Sequence, residues 1–286
     1  MGVRVSAVTG SDLPEVADFL HRNLNDKVSA EAWARAVDVP WKVDAPNHGF
    51  HLRADDGTVV GAYLAFYSDR TVGGRSLRFC NLGAWCVRPE QRFHSLRLLK
   101  ALLDQGCDVY TDLSPSGNVV PVNTRRGFRF LDTATELVPN LPGPPLPGAG
   151  SVTADRAAIA RALTGRELQI FQDHADTAAA RHLLLTRGDE TCYVIFRKDR
   201  RKGLPLFASI LYVSDPALFR RMFRQVSRHL LLRHGIPATL AEQRIVGGSL
   251  PGGRPLANPR RKMVLGDAVA DPDVDYLYSE LVCLSW

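Results

Sequence analysis

Cysteine is scarce and unpatterned in this sequence: Cys80, Cys86, Cys107, Cys192 and Cys283 are odd in number and nowhere spaced as C-x-x-C. That argues against a disulfide framework and a thiolate zinc site, and leaves burial as small hydrophobes as the expectation for most of them. The eight histidines form no H-E-x-x-H or comparable ligand pair, so no metal is expected. Long apolar runs are missing as well. No stretch approaches the roughly 20 residues that cross a bilayer, and the opening MGVRVSAVTGSDLPE lacks the basic-then-apolar order of a secretory signal. The expectation is a soluble, cytoplasmic chain without a membrane span.

The 286 residues, 45% hydrophobic and 23% charged, suffice for one large domain or two ordinary ones. A net charge of +6 and a pI near 9.2 are compatible with an anionic partner such as a nucleotide-containing cofactor, RNA or an acidic sugar. No nucleic-acid reading motif accompanies the charge, so nucleic acid is not the expected partner. The sequence does not address oligomeric state.

A Pro/Gly-rich break over 139–151, beginning PNLPGPPLPGAG, divides the chain nearly in half. The expectation is one domain over 1–138 and a second over 152–286. In the first half, a strand at 3–8 precedes a helix capped by Asp12 and a second helix at 30–37. Strand-like runs at 49–54, 58–67 and 77–87 read as an antiparallel meander. Leu96, Leu98, Leu99, Leu102 and Leu103 then define a helix over 95–105. A strand follows at 108–113, in an order that favours parallel pairing. A short helix at 118–126 stops at Gly127 before a last strand. The second half repeats this rhythm in blurred form, with a helix at 155–163 and strands at 193–197 and 206–213. A long helix at 216–234, capped by Asp215, and strands at 238–245 and 276–283 complete it.

Val87-Arg88-Pro89-Glu90-Gln91-Arg92 before a leucine-rich helix, with Asn118 and then Arg126-Gly127-Phe128 further on, resembles the GNAT superfamily of acyl-CoA-dependent N-acyltransferases over about residues 1–138. The resemblance implies an α/β (α+β) fold with a mixed, mostly antiparallel sheet flanked by helices, and the blurred repeat implies a second, degenerate copy. It further implies acetyl-CoA or another acyl-CoA as donor and a small-molecule amine as acceptor. The loop and helix start would cradle the coenzyme A pyrophosphate, making Arg92, Phe93, His94, Ser95, Leu96 and Arg97 the cofactor candidates. Asn118 would help hold the pantetheine arm, or cap the short helix. The loop departs from the family's R-x-x-G-x-G/A pattern in containing no glycine, which bears on whether it still binds coenzyme A.

The resemblance also places a backbone N–H donor for the thioester carbonyl at Cys86 or Val87. Where the family often has an acidic Tyr this sequence has Asn123, leaving Tyr110 or Thr124 as substitutes. The strand before the loop, 78–85, carries no carboxylate. The candidate bases are therefore Asp112, Glu90 or a water held by Asn81, with Asp112 preferred because open sheets place ligands at carboxyl ends of strands. Trp33, Trp41, Phe66, Tyr67 and Trp85 could line a pocket or pack the core. The second half has no pyrophosphate loop, since only Ser214 and Asp215 precede its long helix, and Arg220, Arg221, Arg224 and Arg228, spaced to share a face, read as a solvated face or as a binder of an acidic substrate or RNA. Direct transfer from acyl-CoA to a primary amine is the first reading. A donor linked to a carrier protein or tRNA, and a catalytically silent tandem binding or regulatory module, are the alternatives.

Overall fold

In a computed structural model, residues 2–144, 148, 150–201 and 203–285 are described; Pro145, Leu146, Pro147 and Ala149 of the expected linker lie outside them. In chain order the first elements are β1 (Val3–Ala7), α1 (Leu13–Asn23), α2 (Ala30–Val37), β2 (Gly49–Ala54), β3 (Val59–Val72) and β4 (Arg75–Val87). A 3₁₀ turn (Pro89–His94) leads into α3 (Ser95–Leu103), β5 (Val109–Asp112), α4 (Val119–Arg125), β6 (Arg129–Phe130) and β7 (Thr135–Pro139). Then come β8 (Ser151–Thr153), α5 (Arg156–Ala162), α6 (Gly165–His174), β9 (Ala180–Arg187), β10 (Glu190–Arg201) and β11 (Leu204–Val213). The chain ends through α7 (Pro216–Arg221), α8 (Phe223–His234), β12 (Ala238–Glu242), α9 (Gln243–Val246), β13 (Arg254–Pro255), β14 (Met263–Leu265) and α10 (Glu280–Cys283).

Two compact units result. The first comprises Met1–Leu131, Arg261–Asp273 and Tyr278–Trp286, the second Asp132–Arg260 and Val274–Leu277. Each has a seven-stranded sheet, ordered β1-β2-β3-β4-β5-β14-β6 in the first and β8-β9-β10-β11-β12-β7-β13 in the second. The orders correspond strand for strand, and both sheets are antiparallel except at β4 with β5 and β11 with β12. In each sheet the sixth strand comes from elsewhere in the chain: β14 inserts beside β5 in the first, β7 beside β12 in the second. The units therefore do not follow the expected linear division into 1–138 and 152–286. Residues 135–139 belong to the second sheet and 263–265 to the first.

Within the first unit, β3 is buried over its first ten residues, as a central strand must be. Leu98, Leu99 and Leu102 of α3 pack against it with Leu52, Tyr67 and Met263. Ser29 caps α2 by accepting from the Ala32 N–H at 3.2 Å. Asp12 does not cap α1: its carboxylate accepts instead from the Thr9 N–H at 2.9 Å and from Arg53 at 3.0 Å. In the second unit the expected single helix over 216–234 is two, separated at Met222. The Asp215 cap on the Leu218 N–H is present. The expected strand at 276–283 is the short helix α10, capped by Ser279. Among the described residues no helix is long and apolar enough to cross a membrane.

Candidate active site

In β4, Ala62 pairs with Cys86 and Leu64 with Gly83, so Tyr63 of β3 stands opposite both Ala84 and Trp85. This is a β-bulge, and Ala84 occupies its left-handed position at φ 57°. Pairing of β4 with β5 stops at Asn81 opposite Thr111, just before the bulge. The two parallel strands part there. A cavity of about 320 Å³ opens at the parting, walled by Tyr63, Leu82 and Trp85 on one side and by Asp112, Ser114 and Val119 on the other. The Trp85 indole stacks on the Tyr63 ring at 4.5 Å. The Tyr63 hydroxyl and the Trp85 Nε1 are both shielded from solvent without a hydrogen-bond partner among the described residues.

Asp112 ends β5 and is 4% exposed. Its Oδ2 accepts from Asn123 Nδ2 at 2.8 Å. Burial, and then the negative charge of Glu280, push its carboxyl up to about 7, with the hydrogen bonds from Asn123 and the Ser114 N–H acting in the opposite direction. Glu280 is itself fully buried and accepts from the Ser114 hydroxyl at 2.7 Å. Asn81 ties the group together. Its Nδ2 donates toward the Thr111 carbonyl and hydroxyl, and its Oδ1 accepts from the Glu280 N–H at 3.2 Å. Asn81 is thus a brace beneath the carboxylates, with both ends of its amide engaged.

Tyr110 is not brought to the cavity. Its hydroxyl lies 3.1 and 2.9 Å from the carbonyls of Leu102 and Leu103 and accepts from the Cys107 N–H, closing the end of α3. Thr124 bonds back to the Val120 carbonyl, and Glu90 is exposed. Of the five aromatics singled out from sequence, Trp85 lines the cavity. Trp33, Trp41, Phe66 and Tyr67 are core. Burial raises the Cys86 thiol to about 11, so it is protonated at neutral pH and suited to packing rather than attack.

The Arg88 N–H donates to the Val60 carbonyl at 2.9 Å. By the alternation of antiparallel pairing, the Cys86 N–H also faces β3 and the Val87 N–H faces the open side of β4. Val87, not Cys86, is placed to bond a ligand there.

The following segment differs from a glycine-rich cradle. Pro89–His94 wind into a 3₁₀ turn that runs directly into α3, and the Ser95 N–H is spent on the Arg92 carbonyl. Arg97 donates to the Val3 carbonyl at 2.7 Å, fastening α3 to β1. Arg92 is exposed, Phe93 is 76% exposed and Leu96 45%. His94 lies against Arg97 and Phe93. The β4 edge therefore presents the Val87 N–H, whereas the segment after it presents the exposed Arg92 side chain in place of a glycine-rich row of N–H groups. Asn118 is exposed at the start of α4 and makes no side-chain cap bond. Among the described residues, no three His, Cys, Asp or Glu gather as metal ligands would.

Sequence reasoning missed Glu280, Ser114 and Tyr63. Nothing in local spacing links Glu280 to Asp112. Tyr63 lies in a run of strand residues, and its place against Trp85 is set by a bulge in the neighbouring strand.

No family model and no curated protein sequence matches the chain. Solved structures do. A GCN5-related N-acetyltransferase from Anabaena variabilis superposes with a TM-score of 0.61 at 12% identity, over 92% of this chain and 72% of that one. One from Kribbella flavida gives 0.57 at 15%, over 92% and 71%. A GCN5-related glucosamine N-acetyltransferase region of a fungal multi-domain β-N-acetylglucosaminidase gives 0.58 at 13%, over 92% of this chain and 38% of that one. This chain has the fold of the GCN5-related N-acetyltransferases, mixed in pairing, mostly antiparallel and present as two sheets of corresponding order.

Proposed function

We propose that the chain transfers an acyl group, most simply acetyl, from coenzyme A to a primary amine by direct attack. The observation that carries this reading is the cavity at the parting of β4 and β5, floored by a buried carboxyl held near neutrality. The thioester carbonyl would lie along β4 and accept from the Val87 N–H, which stabilises the oxyanion formed on attack. Asp112, as carboxylate, takes one proton from the acceptor's ammonium, and the free amine attacks. The N–C bond forms, the C–S bond breaks, the thiolate leaves without needing a dedicated acid, and the second proton lost from nitrogen as the amide forms goes to that thiolate. Tyr63 and Trp85 form the wall against which acyl and acceptor groups pack. A glucosamine-modifying structural neighbour makes an amino sugar one reasonable acceptor to try first.

The glycine-free 3₁₀ turn favours a second reading, in which the acyl group arrives on a carrier protein or tRNA and the diphosphate is not gripped. Calorimetric titration with acetyl-CoA and free coenzyme A separates the two. Micromolar binding, weakened several-fold by Arg92→Ala, supports the first. No binding of either ligand removes it in favour of the carrier-linked donor.

A further inference from the structure

The second unit holds a cavity larger than the one just described, about 450 Å³, along one face of α8. Arg224, Arg228, His229 and Arg233 line it from the helix, with Ser151 and Val152 of β8 also lining it, and among the described residues no carboxylate lines it. Arg220 and Arg221, which the sequence groups with Arg224 and Arg228, are employed elsewhere. Arg220 donates to the Gly247 carbonyl and Arg221 pairs with Glu190. Arg224, Arg228 and Arg233 have neither an ion pair nor a side-chain hydrogen bond among the described residues, and Arg228 Nε and His229 Nε2 are shielded from water without a partner.

A solvated helix face does not explain the two shielded nitrogens of Arg228 and His229. Arg224 and Arg233 are exposed, whereas Arg228 and His229 are half-buried, each with one nitrogen shielded from water. The helix dipole accounts for Arg233, near the carboxyl end of α8, but not for Arg224, the second residue of the helix, where a positive charge is unfavourable. Three like charges within about 14 Å of helix repel one another without a counter-charge. Burial and the neighbouring Arg233 both lower the His229 pKa, as expected of a site that lacks negative charge.

We infer that this cavity binds the phosphate or diphosphate group of a small phosphorylated molecule. Guanidinium forks match phosphate oxygens two at a time, and three of them with an imidazole call for an anion of more than one charge. The size falls within the usual range for small-molecule sites, which favours a small anion over an extended polymer backbone. The inference is independent of the acyl-transfer reading, because none of its residues lies in the first unit.

The test is calorimetric titration of the full chain with pyrophosphate and with ADP. Saturable binding tighter than about 1 mM is expected for at least one of them, weakened at least about tenfold by R224A/R228A and unaffected by R92A. Tighter binding of ADP would assign part of the cavity to a nucleoside, and equal binding would assign it to phosphate alone. Should the double alanine variant fold poorly, R228K keeps the charge and removes the fork, and several-fold weakening is expected. The His229 ring resonances should also move on addition of pyrophosphate. The inference is overturned if neither anion binds, if binding is indifferent to these arginines, if the His229 resonances stay fixed, or if only an RNA oligonucleotide binds.

Discussion

At the scale of single residues, the site turns on two carboxyl groups that burial brings together. Asp112 acts as a base only when ionised, so the proposed reaction should speed up as pH rises through about 7. Glu280 contributes to that value through its negative charge, and Glu280→Gln should therefore move the acid limb of the rate profile to lower pH while leaving turnover on the plateau largely intact. A merely structural Glu280 would lower the rate at every pH without moving the limb. The same electrostatics has a sign for stability. A carboxyl raised above its unfolded value of about 4 stabilises the fold most below that pH, and the contribution is lost as pH climbs toward about 7. Asp112→Asn escapes that loss, so its stability should gain on the wild type between pH 5 and pH 8, at about 1.4 kcal/mol for each tenfold change in the carboxyl's proton affinity on folding. Melting curves at the two pH values check it. The pairing of Asp112 with Glu280 was not legible in the sequence, because the partner arrives from a distant segment whose apolar composition reads as a strand.

At the scale of elements, the bulge in β4 makes the site. Ala84 adopts a left-handed backbone that an alanine tolerates at a cost of about 1 kcal/mol, and Ala84→Gly should leave stability unchanged or raise it by up to that amount. Gly49 is the opposite case. At φ 115°, a Cβ there would collide with the Tyr63 carbonyl, so Gly49→Ala should destabilise by about 2 kcal/mol or more and disturb the β3 segment that carries Tyr63. Denaturant midpoints for both variants check the pair. Local signals did specify many elements: the Ser29 cap marks α2, the leucine spacing marks α3, and Gly127, at φ 90°, ends the turn after α4. They failed where tertiary context decides. Continuous helical spacing over 216–234 conceals a break at Met222, and the apolar stretch at 276–283 reads as a strand although Ser279 starts a helix within it. The absent glycines at 92–97 were legible, and the structure gives them a form, a 3₁₀ turn whose end is bonded to itself.

At the scale of the whole molecule, the repeat was legible as a rhythm but the exchange of strands was not. A three-residue strand such as β14 carries almost no pattern of its own, yet it fills the gap between β5 and β6, with Met263 and Val264 completely buried. A fragment ending at residue 138 therefore lacks an interior strand of the first sheet as well as Glu280. It should be insoluble or unfolded, and a soluble fragment with a cooperative melt would contradict the strand assignment.

The central claim is that Asp112 takes the proton in an acyl transfer at the parting of β4 and β5. It is tested most directly by following thiol release from acetyl-CoA, with glucosamine and simpler primary amines as acceptors, across pH 5 to 9 in the wild type and in Asp112→Asn. Amine-dependent release that rises through about pH 7 and falls by about a hundredfold or more in the variant is the predicted result. Amine-dependent release that is indifferent to Asp112→Asn would contradict it.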